Sequence, residues 1–403
     1  LPGVDYDSAI YRLNIVIADN GDGTLRLAAV DEITNTAGNL EYPSNPYVQE
    51  YSDGSFTDAA DNSIAFENGY SADDAQAVIT GLKKLNVTNS DRNLADDEFT
   101  FTIKGLGYNT DGSDTFGQSD KKQPMPGTIQ ANNIANGNVS FGSMTVTQEM
   151  VGRTYGYSIC EDIPGDAVNP SVNGGNTKYA DAGAEQKAQS GWSLNGITYD
   201  SAEKIVKVTV GDDGAGHVTA TVSPNEGSQD SPANFTFTNS YEPESITIGD
   251  GTQAGIDVQK TYSAPAWMDE GTFSFEIENT QKPDDVTAPM PADTDVDITA
   301  SADKTVATET FGAMTFEQEG TYVYEIRENK GDNSGIAYDS HVVTVTVTVT
   351  ENESNGTLSA SIAYDNSHGI TAADREVTNA AAFTNTYSAS FNTDTSVDLN
   401  GTK

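Results

Sequence analysis

With a single cysteine, Cys160, in 403 residues, the chain can form no internal disulfide. Its three histidines, His217, His341 and His368, are scattered without the spacing of a metal site. Basic residues number 20 against 61 acidic ones, and the resulting net charge of −41 excludes a nucleic-acid footprint and disfavours an anionic membrane. No apolar run is long enough to span a bilayer, and no signal peptide or sorting signal is evident. A sustained helical period is also missing. What the chain does have is 18 tyrosines, 14 phenylalanines and 36% hydrophobic residues, enough for β cores where a disordered chain of this charge would be poor in aromatics. Its length implies two or three domains.

One pattern recurs. Phe383-Thr384-Asn385-Thr386-Tyr387 repeats as Phe237-Thr238-Asn239-Ser240-Tyr241 and, degraded, as Phe66-Glu67-Asn68-Gly69-Tyr70. Residues two apart share a strand face, so each copy sets an asparagine between two aromatic side chains on the side expected to be buried. Tyr322-Tyr324-Ile326-Glu328 and Tyr155-Tyr157-Ile159-Glu161 place a glutamate in the same phase, and Ile256-Val258-Lys260-Tyr262 and Val78-Thr80-Leu82-Lys84 a lysine. A lone inward Lys or Glu is most often a strand-end residue whose charge reaches back to water. Here the order Lys, Glu, Asn occurs twice with the same aromatic neighbours, and an unpaired buried charge costs several kcal/mol. The three groups are therefore expected to meet.

The repeats also give a map. Gly3-Val4-Asp5-Tyr6-Asp7-Ser8 matches Gly196-Ile197-Thr198-Tyr199-Asp200-Ser201 and Gly335-Ile336-Ala337-Tyr338-Asp339-Ser340, each followed by two strands and a Phe-x-Asn-x-Tyr element. The expected division is the C-terminal half of a repeat in 1–72, complete units in 73–243 and 244–388, and the opening strand of another in 389–403. Linkers are expected near 72–77 and 242–255. The first complete unit carries an insertion, Gly165 to Gly191, whose Asp181 to Gln189 part suits a short helix capped by Asp181. Short Thr- and Val-rich strands with frequent turn signals predict an all-β chain of tandem, elongated, Ig-like antiparallel β-sandwiches.

An amine, a carboxamide and a carboxylic acid among Phe and Tyr permit one particular reaction. Burial lowers the Lys pKa and raises that of Glu. A neutral Lys260 can attack the Asn385 side-chain carbonyl while a protonated Glu328 hydrogen-bonds the carbonyl oxygen and passes a proton to the departing ammonia. The product is an isopeptide bond.

This order of an early Lys, Phe-x-Phe (Phe99-Thr100-Phe101, Phe273-Ser274-Phe275), Pro-Met-Pro (Pro124-Met125-Pro126, Pro289-Met290-Pro291), Phe-Gly-x-Met-Thr, Tyr-x-Tyr-x-Ile-x-Glu, Tyr-Asp-Ser and Phe-x-Asn-x-Tyr resembles the streptococcal pilin isopeptide-linkage domain, a relative of the Cna-B-type repeats of Gram-positive adhesins. The resemblance implies one triad of Lys84, Glu161 and Asn239 and another of Lys260, Glu328 and Asn385, with the glutamates catalytic. Asn68 and Lys403 would find their partners outside this segment. Lys83 stays a rival donor to Lys84, which the phase of Val78 and Leu82 favours.

The implied function is structural: a stalk segment of a cell-surface adhesin or pilus, extracellular and wall-anchored, whose self-formed crosslinks resist load and proteolysis. No cofactor, metal, nucleic acid or membrane insertion is expected. The partners are adjacent repeats and a host ligand at a tip outside this segment. The alternatives are an uncrosslinked adhesin binding host protein or carbohydrate through 165–191, and, with nothing but abundant carboxylates behind it, a hydrolase. The acidic stretches Asp19-Asn20-Gly21-Asp22-Gly23 and Asp111-Gly112-Ser113-Asp114 read as hairpin turns ahead of calcium loops. Glu41-Tyr42-Pro43-Ser44-Asn45 resembles a sortase pilin motif with Ser44 where lysine is required, which favours a single-chain adhesin over a polymerised shaft.

Overall fold

A computed structural model describes residues 1–8, 10–35, 51–52, 55–56, 66–118, 123–224, 233–265, 271–301, 304–367 and 377–390. The sortase-like stretch at 41–45, His368 and the final 397–403 stretch with Lys403 lie outside the described residues.

The alternating stretches fold into strands, and the strands pair into two sheet-on-sheet units. In the first, one sheet has the order Asn138–Val146, Ala75–Val87, Phe235–Tyr241, Ile197–Thr198, Ser193–Leu194. The facing sheet runs Val218–Pro224, Lys204–Asp212, Thr154–Glu161, Thr100–Asn109, Gln130–Asn132. The second unit repeats the plan. Its Asp257–Ser263 and Ala381–Tyr387 are central in one sheet, and its Gly320–Glu328 is central in the other. Each unit buries one aromatic and aliphatic core between its sheets. Almost every pairing is antiparallel, but the first and last long strands of each unit pair in parallel. Those two strands are joined by the whole unit and not by a hairpin, so no tight turn dictates their direction.

The phase of Ala75–Val87 corrects the sequence reading. Ala77, Ile79 and Lys83 are buried, whereas Val78 is 42% exposed and Lys84 points to solvent. Gly81 decides this: a Cβ on it would lie 2.1 Å from the Phe235 ring, so the ring fills the space that a side chain would take. The inward face is the one carrying the glycine, and a shift of one residue exchanges every side chain between faces.

The Pro-Met-Pro segments also find their reason. Tyr157 donates its hydroxyl hydrogen to the Pro124 carbonyl at 2.6 Å, and Tyr324 does the same to Pro289 at 2.8 Å. Buried tyrosines of the Tyr-x-Tyr-x-Ile-x-Glu strands thus keep a hydrogen bond inside the core.

The insertion is packed, not a loose loop. Ala167, Val172 and Ala182 join the core with Trp192, which is fully buried, lies edge-on to Tyr179 at 5.1 Å and donates its indole N–H to the Gln186 carbonyl. Its helix, Ala184–Lys187, is capped by Gly183 and not by Asp181, which ends a preceding 3-10 turn. The Gln186 side chain accepts the Gly183 N–H at 2.9 Å, satisfying one of the donors that an acidic cap would have taken. Trp192→Ala is expected to destabilise the first unit by about 3–5 kcal/mol, the cost of emptying so large a buried site. Denaturant unfolding followed by circular dichroism measures this.

The expected linkers are structured. Strand Ala75–Val87 begins inside 72–77, and Ile246–Ile248 in 242–255 pairs with Met314–Phe316. Each junction repeats one contact: the tip of the later unit's hairpin leans back on the earlier one. Tyr70 donates to Asp212 at 2.7 Å while the Asp73 N–H donates to the Gly216 carbonyl. Tyr241 likewise donates to Glu351, and the Glu244 N–H to the Gly356 carbonyl at 2.7 Å. Glycine is required at the second tip, because Gly356 has φ 67° and its Cβ would meet the Asn195 carbonyl oxygen at 2.4 Å. The stretch Asp19 to Gly23 is a hairpin turn of the same kind between Ile10–Asp19 and Leu25–Asn35.

Candidate functional site

The parallel pairing sets a lysine and an asparagine side by side. In the first unit Lys83 is in register with Phe237 of the Asn239 strand, and in the second Lys260 is in register with Phe383 of the Asn385 strand. Lys83, not Lys84, is therefore the counterpart of Lys260. The glutamate of each unit reaches across from the facing sheet.

Each glutamate bridges the other two groups. Lys83 Nζ donates to Glu161 Oε2 at 2.6 Å, and Asn239 Nδ2 donates to Glu161 Oε1 at 2.6 Å. In the second unit Lys260 Nζ lies 2.7 Å from Glu328 Oε2, and Asn385 Nδ2 lies 2.6 Å from Glu328 Oε1. The amine and carboxylate side chains are 0% exposed in both pairs, and Asn239 and Asn385 are equally buried. The amines sit over the Phe-x-Phe rings, Lys83 4.3 Å from the centre of Phe99 and Lys260 4.8 Å from that of Phe273. The second ring of each Phe-x-Phe packs on the phenylalanine of the asparagine strand, Phe101 on Phe237 at 5.2 Å and Phe275 on Phe383 at 5.0 Å.

Burial pushes the Glu161 and Glu328 carboxyls up, against the lysine and asparagine that favour their charged forms. Burial pushes the Lys83 amine down, against the attraction of Glu161. Both directions move the pair toward an uncharged amine and an uncharged acid, because removal from water penalises the charged form of each.

The carboxamide is turned differently from the sequence expectation. Its nitrogen, not its oxygen, faces the glutamate. The oxygen is held elsewhere: Asn385 Oδ1 accepts the Asp339 main-chain N–H at 2.7 Å, and Asn239 Oδ1 accepts that of Asp200 at 2.8 Å. Because a main-chain N–H can only donate, it fixes which end of the amide faces which way. Sequence reasoning missed this role of the aspartate, although the Tyr-Asp-Ser triplet stands three times in the chain and was the available signal.

Asn68 repeats part of the arrangement, accepting the Asp7 N–H at 2.9 Å on an exposed surface. Cys160 is exposed on the outer side of its strand. His341 Nδ1 lies 2.5 Å from Asp339 Oδ1, and His217 pairs with Asp213.

A family model described as a Spy0128-like isopeptide containing domain matches residues 79–242 and 256–388. Each matched segment holds one complete Lys, Glu and Asn set. Among solved structures, the major pilin of Streptococcus pyogenes is 17% identical, with 78% of this chain and 98% of that one covered at a TM-score of 0.29. The streptococcal ancillary pilin is 12% identical over 86% of this chain and 80% of its own, at a TM-score of 0.17. A single B repeat of the collagen-binding surface protein Cna of Staphylococcus aureus is 10% identical over 78% of this chain and all of its own, at a TM-score of 0.13. No protein with a curated description matches.

Proposed function

Because the chain belongs to the family of Spy0128-like isopeptide containing domains, we propose that it is a load-bearing stalk segment of a pilus or surface adhesin, closed in each unit by a self-formed Lys–Asn isopeptide bond. The bonds join Lys83 to Asn239 and Lys260 to Asn385, with Glu161 and Glu328 moving the protons. The observation that carries this reading is a fully buried carboxylate within hydrogen-bond reach of both an amine and a carboxamide nitrogen, twice in one chain.

The chemistry follows from the contacts. Glutamate takes a proton from the lysine, leaving a neutral nucleophile that attacks the asparagine Cγ. The same carboxyl, through its other oxygen, delivers that proton to Nδ2 and takes the second proton that the lysine nitrogen loses on becoming an amide, so that ammonia leaves and the glutamate ends protonated. The interior that disfavours an ammonium ion holds a neutral amide more readily, so desolvation drives the exchange forward. Each site turns over once, which makes this self-processing and not enzyme activity on another substrate.

A pilus or adhesin role places the segment outside the cell, on a wall-anchored protein whose neighbours are further repeats and, in the assembled fibre, other pilin subunits. The junction contacts of Tyr70 and Tyr241 suit a rod of consecutive units. Binding through 165–191 draws no support from a segment whose apolar side chains are spent on its own core.

Intact mass spectrometry under reducing, denaturing conditions tests the reading. The expected mass is short of the calculated value by two ammonia molecules, and Glu161→Ala and Glu328→Ala each restore one. A full calculated mass for the wild type rules the crosslinks out.

A further inference from the structure

Isopeptide formation leaves one charge unattended by the lysine and glutamate. When the amine adds to Cγ, the electron pair of the carbonyl moves to Oδ1, and an oxygen gaining charge in a dry core needs a donor aimed at it. The glutamate is not that donor, since both its oxygens are engaged by nitrogens.

We propose that the Tyr-Asp-Ser aspartate of each unit, Asp200 and Asp339, builds the oxyanion site: its main-chain N–H stabilises the charge on Oδ1, and its carboxylate holds that N–H in place. This rests on the bond formation proposed above.

The geometry is a reciprocal clamp. Asp339 gives its N–H to Asn385 Oδ1, while its Oδ2 accepts the main-chain N–H of Thr384, the residue just before, at 2.8 Å. Asp200 gives its N–H to Asn239 Oδ1 and accepts the Thr238 N–H at 3.3 Å. Asp7 treats Asn68 and the Glu67 N–H in the same way, both at 2.9 Å, so the clamp forms even where the asparagine is exposed. Two contacts to adjacent residues of one strand fix both the distance and the turn of the asparagine, so that Cγ stays presented to the lysine and Nδ2 to the glutamate. The carboxylate is itself steadied on its remaining positions. Asp339 Oδ1 accepts the His341 N–H at 3.1 Å and contacts its imidazole, and Asp200 accepts the Ala202 N–H at 3.0 Å and pairs with Lys204 at 3.2 Å.

The step balances within the site. The Nζ–Cγ bond forms and the Cγ–Nδ2 bond breaks. Of the two protons that the lysine ammonium gives up, one passes through the glutamate to Nδ2 and the other stays on the carboxyl. The charge held at Oδ1 returns to the carbonyl, and the products are an amide, ammonia and a protonated glutamate. Asp339 exchanges no proton. It is a positioning residue whose main-chain group touches the reacting oxygen.

The test uses the full chain with the unaltered unit as an internal clock. Asp339→Ala is produced by short induction and sampled over time by intact mass, with peptide mapping to assign each loss. The expected result is rapid loss of one ammonia from the first unit and slowed loss of the second, by up to roughly a hundredfold, the effect of removing an oxyanion donor outright, because the main-chain N–H remains but is no longer held in place. Asp339→Asn keeps an acceptor for the Thr384 N–H and is expected to restore most of the rate, a rescue that a general packing defect would not show. Asp200→Ala reverses the roles of the units and covers the case in which the Asp339 variant does not fold. Two ammonia losses at the first sampling of Asp339→Ala, or equal slowness in the Ala and Asn variants, overturns the inference. A wild type that loses no ammonia instead defeats the crosslinking reading on which it rests.

Discussion

Lys83→Ala is expected to abolish the first crosslink and to collapse the stability of the unit around it, whereas Lys84→Ala leaves both unchanged. Lys83 has no exposed side-chain surface and bonds Glu161, while Lys84 stands in solvent on the opposite face of the same strand. Removing the buried amine leaves Glu161 and Asn239 facing each other in an apolar core, a cost of about 3–5 kcal/mol when one partner of a buried pair is lost. Losing the proposed covalent closure of residues 84–238 frees the unfolded chain by a further amount of about 5 kcal/mol, on the loop-closure argument made for disulfides. The two together rival the roughly 5–15 kcal/mol that holds an ordinary domain folded. A solvent-exposed change such as Lys84→Ala belongs within about 0.5 kcal/mol. Mass and thermal melts of the two variants, run side by side, separate them. An unchanged ammonia deficit in Lys83→Ala would return the donor role to its neighbour.

Pulled from its ends, the second unit is expected to show no unfolding step in the wild type and a long one in Glu328→Ala. With the proposed bond in place, tension entering along Asp257–Ser263 reaches Lys260, crosses to Asn385 and leaves along Ala381–Tyr387, because those two strands lie adjacent and parallel. Residues 261–384 are bypassed. Without the bond they enter the load path, releasing on the order of 400 Å of extended chain at ~3.3–3.6 Å per residue. Single-molecule force spectroscopy reads that length directly, and a wild-type chain that lengthens by it carries no bond. The thiol-independence of such a bridge suits a chain with a single cysteine.

Much of the site was legible because its signal is local. Phe-x-Asn-x-Tyr and Tyr-x-Tyr-x-Ile-x-Glu fix the phase of their own strands, with bulky aromatics on one side that leave no doubt which way the asparagine and glutamate point. The strand of Lys83 has no such marker. Its Val78, Leu82 and Ile79 give apolar residues to both faces, and the deciding residue, Gly81, marks the inward side only because the Phe235 ring from a strand more than a hundred residues away lies over it. The packing of the Gly165 to Gly191 segment was not legible for a related reason. Its glycines and asparagines look like those of a loose loop, while its buried alanines and Val172 reach the core only once Trp192 closes on them.

The sequence by itself determined the class of fold, the repetition of a lysine, a glutamate and an asparagine in fixed order, and the burial of the last two, since alternation and composition act over a few residues. Only the tertiary structure decided which of two adjacent lysines enters the core, that the first and last strands lie parallel, and which end of the asparagine amide faces the glutamate. Each of those depends on a group far along the chain. The amide in particular is oriented by a main-chain N–H at Asp339, 46 residues before Asn385, and no local pattern records where that donor will come to rest.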